Sequence, residues 1–514
     1  MPASRDICFL MRLARPGSVR RVLVTTLLCG AAAVFAQPQP QLQPPSPSSA
    51  VAVTGEPAPV RNPTPPLPSS LQVVVDGHAL PAGSYGLLAQ EVAGGATLLS
   101  VNADQPLNPA STMKVLTTLT ALEQLGPDFT WRTEVHALGP MVEGRLQGDL
   151  LIRGGGDPFL LEEHLRNLLK ALQRAGIRQI DGDLVLDTSH FAASVSDAPL
   201  IDGQTDRAYN VLPHALMSNF QTVTFYFRPA ADGRSVEVTV EPPLPNLRID
   251  NRLRQQPGPC EGYQRGVRLD DDPADPQRVV LSGNFPAGCR QFSLLRSVLT
   301  PTDYFDGLFR YLWSELGGEI SGGLRFGVAP DTEPLLVWQS PPLADVIKSI
   351  NKFSNNMMTR QTLLTLGASE AEGPATVEQG ADAVAAYLEM LGLESRGLVV
   401  DNGSGLSRST RISPALLNQV LQHGFQSPFM PEFLASLPLN GIDGTMRNRL
   451  RQNGMGGQMH VKTGSLDDVA AIAGYVRARS GRYYTVVGML NHPLADRGPG
   501  SELLDALLAW VYQH

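Results

Sequence analysis

The chain has 514 residues, which at roughly 100–200 residues per domain allows two to four domains and a large core. Hydrophobic residues make up 42% and charged residues 18%, a composition that excludes a disordered chain. The net charge of −8, from 41 basic and 49 acidic residues, excludes nucleic acid as the main partner, because binding phosphate takes a basic surface.

At the N-terminus, Arg12, Arg15, Arg20 and Arg21 precede an apolar run from Val22 to Phe35, with Ala36 before Gln37. A basic stretch, about 14 apolar residues and small residues before the cut describe a secretory signal over 1–36, whereas a membrane anchor takes about 20 apolar residues. Leu28 ahead of Cys29 is too bulky for a lipoprotein site. Residues 37–71 read as a linker, since eleven prolines fall in positions 37–70 with Gln and Ser between them. Such a composition stays extended and buries no core.

Residues 84–99 alternate as two strands around a Gly94-Gly95 turn. Asn108 and Pro109 then open a helix that runs through Val115, Leu116, Leu119, Leu122 and Leu125 and stops at Gly126-Pro127. Its start carries Ser111-Thr112-Met113-Lys114, an SxxK that puts a hydroxyl and an amine on neighbouring helix surface. A serine hydroxyl is a weak nucleophile until a base takes its proton. A lysine can be that base once burial or a cationic neighbour lowers its pKa. The helix N-terminus also favours the negative charge that develops there.

Farther on, residues 222–228 and 235–241 read as strands, interrupted by a Pro/Gly/Asp-rich stretch over 242–276, and Ser282-Gly283-Asn284 reads as a turn. Cys8 and Cys29 leave with the signal. The remaining Cys260 and Cys289 favour one structural disulfide in an oxidising compartment. Neither has a CxxC partner and the histidines form no HExxH pair, so no metal and no cofactor are expected.

Ser354-Asn355-Asn356, an SxN, follows a helical stretch from Leu343. Alone it would be a turn or a helix cap. Lys462-Thr463-Gly464 lies on a strand over 458–465, followed by strands over 470–479 and 482–490 and an apolar-faced helix over 501–512. A second SxxK, Ser349-Ile350-Asn351-Lys352, shares its helix with the SxN and is too close to form the opposite wall of a cleft, so Lys352 is read as a supporting residue. Lysine occurs only five times, at 114, 170, 348, 352 and 462. The chosen SxxK and the KTG take two of the five.

SxxK, SxN and KTG in this order are the signature of penicillin-recognising serine enzymes. From Ser111 to Ser354 there are 243 residues, far more than class A β-lactamases leave between these motifs. With that long insertion the sequence resembles the D-alanyl-D-alanine carboxypeptidase/endopeptidase family typified by penicillin-binding protein 4 (peptidase family S13). Leu125-Gly126-Pro127-Asp128-Phe129, Gly154-Gly155-Gly156-Asp157-Pro158, Asp401-Asn402-Gly403-Ser404-Gly405-Leu406-Ser407 and the run from Leu437 to Thr445 carry the likeness too. It extends over about residues 72–514, with Asn402 one residue more than the family's Asp-Gly start.

The resemblance implies an α+β fold: a DD-peptidase/β-lactamase-like catalytic domain, an antiparallel sheet flanked by helices, with inserted β-rich accessory domains. The catalytic domain would be discontinuous, over 72–135 and 297–514, with the accessory modules at 136–296. It implies a periplasmic enzyme that cuts D-Ala-D-Ala and D-Ala-diaminopimelate bonds of peptidoglycan through an acyl-enzyme at Ser111. Lys114 would be the base, and Ser354 would pass the proton to the leaving amine. Asn356, Lys462, Thr463, Gly464 and Ser465 would bind substrate, the N–H groups of Ser111 and Ser465 forming the oxyanion hole. Peptidoglycan stem peptides and β-lactams are the expected partners; contact with a membrane surface and a homodimer stay open. The alternatives are a β-lactamase-like hydrolase and a non-catalytic wall-binding protein.

Overall fold

The two ends of the chain build one sheet. In the computed structural model, which describes residues 66–193, 201–262, 266–370 and 373–514, five antiparallel strands lie in the order Met459–Leu466, Val469–Arg477, Tyr483–Asn491, Tyr85–Glu91 and Thr97–Val101. The expected signal and nearly all of the expected linker lie outside the described residues. The interior strand Val469–Arg477 is buried at every position but its last, so apolar layers cover both faces.

One layer is the C-terminal helix Pro499–Tyr512 with the N-terminal helix Ser69–Gly77, joined through Leu71, Val75, Leu503, Leu507 and Val511. The linker expected to reach 71 therefore ends earlier: Leu71 is already a core residue. The other layer packs around the helix Met113–Leu125, of which every residue from Met113 to Leu122 is buried. A helix buried all round must satisfy its polar side chains internally. Thr118 and Thr120 donate to the carbonyls four residues back, Lys114 O and Leu116 O, and Thr117 donates to Gly403 O. Leu343–Phe353, Asn356–Glu370, Val377–Met390, Pro414–Gln426 and Met430–Ser436 complete this layer. Truncating one of its leucines to alanine costs about 2–5 kcal/mol.

The insertion has its own core. Arg132–Leu138 starts a five-stranded sheet ordered Leu324–Phe326, Leu184–Asp187, Asp149–Gly154, Arg132–Leu138 and Leu336–Gln339. Helices Glu162–Arg174 and Pro301–Glu315 pack on each other, burying Leu165, Leu169, Phe305, Phe309 and Trp313. The second begins with Thr300 accepting from Asp303 N–H and Pro301 in the first turn. The return to the catalytic part expected at 297 is thus misplaced. Residues 301–339 belong to the insertion by packing, because Phe305, Phe309, Trp313, Leu324, Leu336 and Trp338 pack in or against its core, and the next helix starts at Leu343.

The stretch over 242–276 is also more regular than expected. Arg248–Asn251, Arg254–Gln256 and Val267–Asp272 pair with the long strand Asp275–Pro286. Ser282-Gly283-Asn284 lies inside that strand and is not a turn: Val279, Leu281 and Phe285 alternate inward, and Gly283 takes the inward position where the backbone of Gly266 crosses. Cys260 and Cys289 form a disulfide between segments 29 residues apart in sequence.

Candidate active site

The turn that carries Ser111 is built before the helix begins. Ala110–Thr112 is a 3-10 turn and the α-helix starts at Met113, later than the sequence suggests. Asn108 holds this turn with all its polar groups: its N–H donates to Asn491 Oδ1, its carbonyl accepts from Asn491 Nδ2, its Nδ2 donates to Ser407 O and its Oδ1 accepts from Ala110 N–H. That web sustains Ala110 at φ 44°, a left-handed conformation costly for a residue with a Cβ. Ser111 emerges from the turn half-buried.

Ser111 Oγ is 2.9 Å from Lys114 Nζ, which also donates to Asn356 Oδ1 at 2.7 Å and to Ser404 O at 2.6 Å. Lys114 is 0% exposed. Burial, then the neighbouring Lys462 and Arg360 charges, hold its amine well below the usual lysine range. A neutral amine has two N–H bonds and one lone pair. The two fixed acceptors take the N–H bonds, so the lone pair is left for the Ser111 hydroxyl.

The opposite wall comes from the SxN. The helix Leu343–Phe353 ends at Ser354, which sits left-handed at φ 58° and donates its N–H to Ile350 O. Asn355 Oδ1 then accepts from Met358 N–H and starts the next helix, so Asn356 points at Lys114 from its first turn. Ser354 Oγ accepts from Lys462 Nζ at 2.8 Å, and Lys462 also donates to Thr463 O at 2.6 Å. Lys462 is 0% exposed, and burial lowers its pKa to about 7. Among the described residues neither lysine is paired with a carboxylate.

The KTG strand lies against the turn that carries Ser111 because residue 464 is glycine. A Cβ there would stand 2.6 Å from Pro109 O and 3.0 Å from Ser111 N. Thr463 Oγ1 donates to Thr445 Oγ1, and Ser465 continues the strand at the surface, opposite Ala470. The structure therefore brings Ser111, Lys114, Ser354, Asn356, Lys462, Thr463, Gly464 and Ser465 to one groove. Cys260 and Cys289 belong to the insertion. The competing Lys352 is engaged elsewhere, donating to Leu437 O and pairing with Asp443 at 2.8 Å.

A family model described as the D-Ala-D-Ala carboxypeptidase 3 (S13) family matches residues 67–513. The chain belongs to this family. Among its relatives, the D-alanyl-D-alanine carboxypeptidase of Actinomadura sp. (strain R39) is 29% identical over 434 residues, covering 81% of this chain and 79% of that protein. D-alanyl-D-alanine carboxypeptidase DacB of Haemophilus influenzae is 27% identical over 419 residues, covering 80% and 86%. The crystal structure of penicillin binding protein 4 from Haemophilus influenzae shares the fold, with a TM-score of 0.75 at 24% identity, covering 86% of this chain and 99% of that one.

Three features of this S13 chain's groove were not assigned from its sequence. Ser404 holds Lys114 through a backbone carbonyl, and Gly405 beside it is needed because a Cβ would stand 1.9 Å from Ala110 O. Asp443 neutralises Lys352. Tyr209, from the insertion, accepts from Asn356 Nδ2 through its carbonyl at 3.1 Å. The glycines around Ser404 were the one available signal; a carbonyl contact leaves no mark on residue type.

Proposed function

We propose that the chain is a serine DD-carboxypeptidase and DD-endopeptidase of peptidoglycan that works through an acyl-enzyme at Ser111. The observation that carries this reading is the setting of Lys114: fully buried, with two acceptors fixed and its third direction given to the Ser111 hydroxyl at 2.9 Å. Ser111 attacks the carbonyl between two D-alanines while Lys114 accepts its proton. Ser354, hydrogen-bonded to Lys462, relays that same proton to the leaving amine, which returns Lys114 to its neutral form. Lys462 and Thr463 bind the terminal carboxylate, a role supported by Lys462 having no carboxylate partner among the described residues. The N–H groups of Ser111 and Ser465 hold the oxyanion. Water then hydrolyses the ester. A β-lactam presents the same reactive amide and leaves a slowly hydrolysed adduct; a solved relative is complexed with a novel β-lactam.

Export to the periplasm belongs to the same reading, supported by the signal pattern over 1–36 and by a substrate outside the cytoplasm. Among the described residues no helix is long and apolar enough to cross a membrane. Digestion of purified crosslinked peptidoglycan, with products assigned by mass, tests the activity. Loss of crosslinked dimers is expected for endopeptidase action and shortening of pentapeptides for carboxypeptidase action, both absent with Ser111→Ala. Intact substrate after prolonged digestion would refute the reading.

A further inference from the structure

Arg360 is a buried cation with too few partners. It is 6% exposed, its Nη1 donates to Val211 O at 3.2 Å, and its Nε is buried without a hydrogen-bond partner. Among the described residues no carboxylate reaches ion-pairing distance of it. A charge buried on these terms works against folding.

Its position suggests what it does instead. Arg360 lies one turn after Asn356 on the helix Asn356–Glu370, hence on the same face. Asn356 bonds Lys114 with one amide atom and Tyr209 O with the other, and Arg360 bonds Val211 O. Gln361 extends this lacing, accepting from His214 N–H and donating to Gly156 O. The helix that steadies Lys114 is thereby tied to the insertion at successive residues.

We propose that Arg360 is a positioning residue for the Ser111–Lys114 pair: its fixed positive charge favours the neutral, proton-accepting form of Lys114, and its bond to Val211 keeps Tyr209 against Asn356. The inference rests on Lys114 being the base. The other charges facing Lys114 do not replace it. Lys462, on the KTG strand, loses its own proton near pH 7. Burial lowers Arg360 only to about 10, with Asp401 opposing, so Arg360 stays cationic across the neutral range. Lys352, on the helix Leu343–Phe353, is neutralised by Asp443. On the insertion side Asp202 accepts from Tyr209 and Asp206 pairs with Arg296, while burial disfavours a charge on His214.

The test is the pH profile of Ser111 acylation by benzylpenicillin, read as the rate constant per concentration for the holoprotein and its variants, each checked for folding by thermal melting. Removing the cation lifts the Lys114 pKa, so the acid limb of the Arg360→Gln profile moves up by about one pH unit, a loss of up to about tenfold on that limb that is recovered at higher pH. Arg360→Lys restores most of the rate on that limb. A uniform loss at all pH values, with the limb unmoved, would mean a purely structural role and overturns the proposal. Asp401→Asn leaves the guanidinium and its contacts in place and serves should Arg360→Gln not fold. It is expected to move the limb to lower pH, and an unmoved or raised limb counts against the proposal. Lys114→Met separates the two readings. If it still acylates Ser111 with the parent profile, Lys114 is not the base. If it is inactive while the Arg360→Gln limb stays put, only the role of Arg360 fails.

Discussion

Both buried lysines here have their charge disfavoured, Lys114 so that it can take a proton and Lys462 so that it sits between its two forms near neutral pH, and burial away from water arranges both. Lys114 keeps a lone pair for Ser111 because its other directions are filled, and Lys462 is poised close to neutrality between Ser354 and Thr463. Such tuning has a stability signature with a definite sign. The folded pKa of Lys462 is depressed from 10.5 to about 7, so between those values the unfolded chain holds one more proton than the folded chain. Stability therefore rises with pH across that window, by up to about 1.4 kcal/mol per unit from this one group, and is flat on its account below and above. Thermal melting of Lys462→Met against pH is expected to lose that increment of slope while acylation falls by at least about 100-fold. An unchanged slope would mean that Lys462 is charged in the folded protein.

At the scale of elements, catalysis depends on backbones that touch. The KTG strand can lie against the nucleophile turn only through Gly464, and the loop carrying Ser404 only through Gly405. Gly464→Ala pushes a methyl group against Pro109 O and Ser111 N. A loss of about 100-fold in acylation rate with a destabilisation of about 1–3 kcal/mol is expected, measured by stopped-flow acylation and denaturant unfolding. A fully active, equally stable variant would show that strand and turn do not depend on this contact. The groove's side chains were legible in the sequence because the chemistry demands particular residue types: Ser111, Lys114, Ser354, Asn356 and Lys462 stand in short motifs whose order survives a long insertion. Ser404 was not, because it works through a carbonyl that any residue carries. Nor was Arg360, since a single arginine on a helix reads as a solvated side chain until its burial is seen. Alternation exposed the strands on either side of Gly94-Gly95, whereas Gly283 disguised a strand as a turn by occupying an inward position where two backbones meet.

At the scale of the whole molecule, the insertion is an independently cored module that still reaches the site, through the carbonyls of Tyr209 and Val211, which accept from Asn356 and Arg360 on the helix Asn356–Glu370. Its return point was misplaced in the sequence because the amphipathic helix Pro301–Glu315 fits either core by pattern alone; only packing assigns it. The Cys260–Cys289 link lies within this module. Closing a 29-residue separation stabilises by about 3–4 kcal/mol through the unfolded chain, so the double serine variant is expected to melt at lower temperature yet still acylate when folded. Calorimetry with and without reductant measures the first, and penicillin titration the second. Unaltered melting would mean that the link restrains little. The most direct trial of the whole scheme is intact-mass and peptide mapping of the protein after brief exposure to penicillin: one adduct on Ser111, absent from Ser111→Ala, is expected, and an adduct on any other residue, or none on a folded protein, would contradict it.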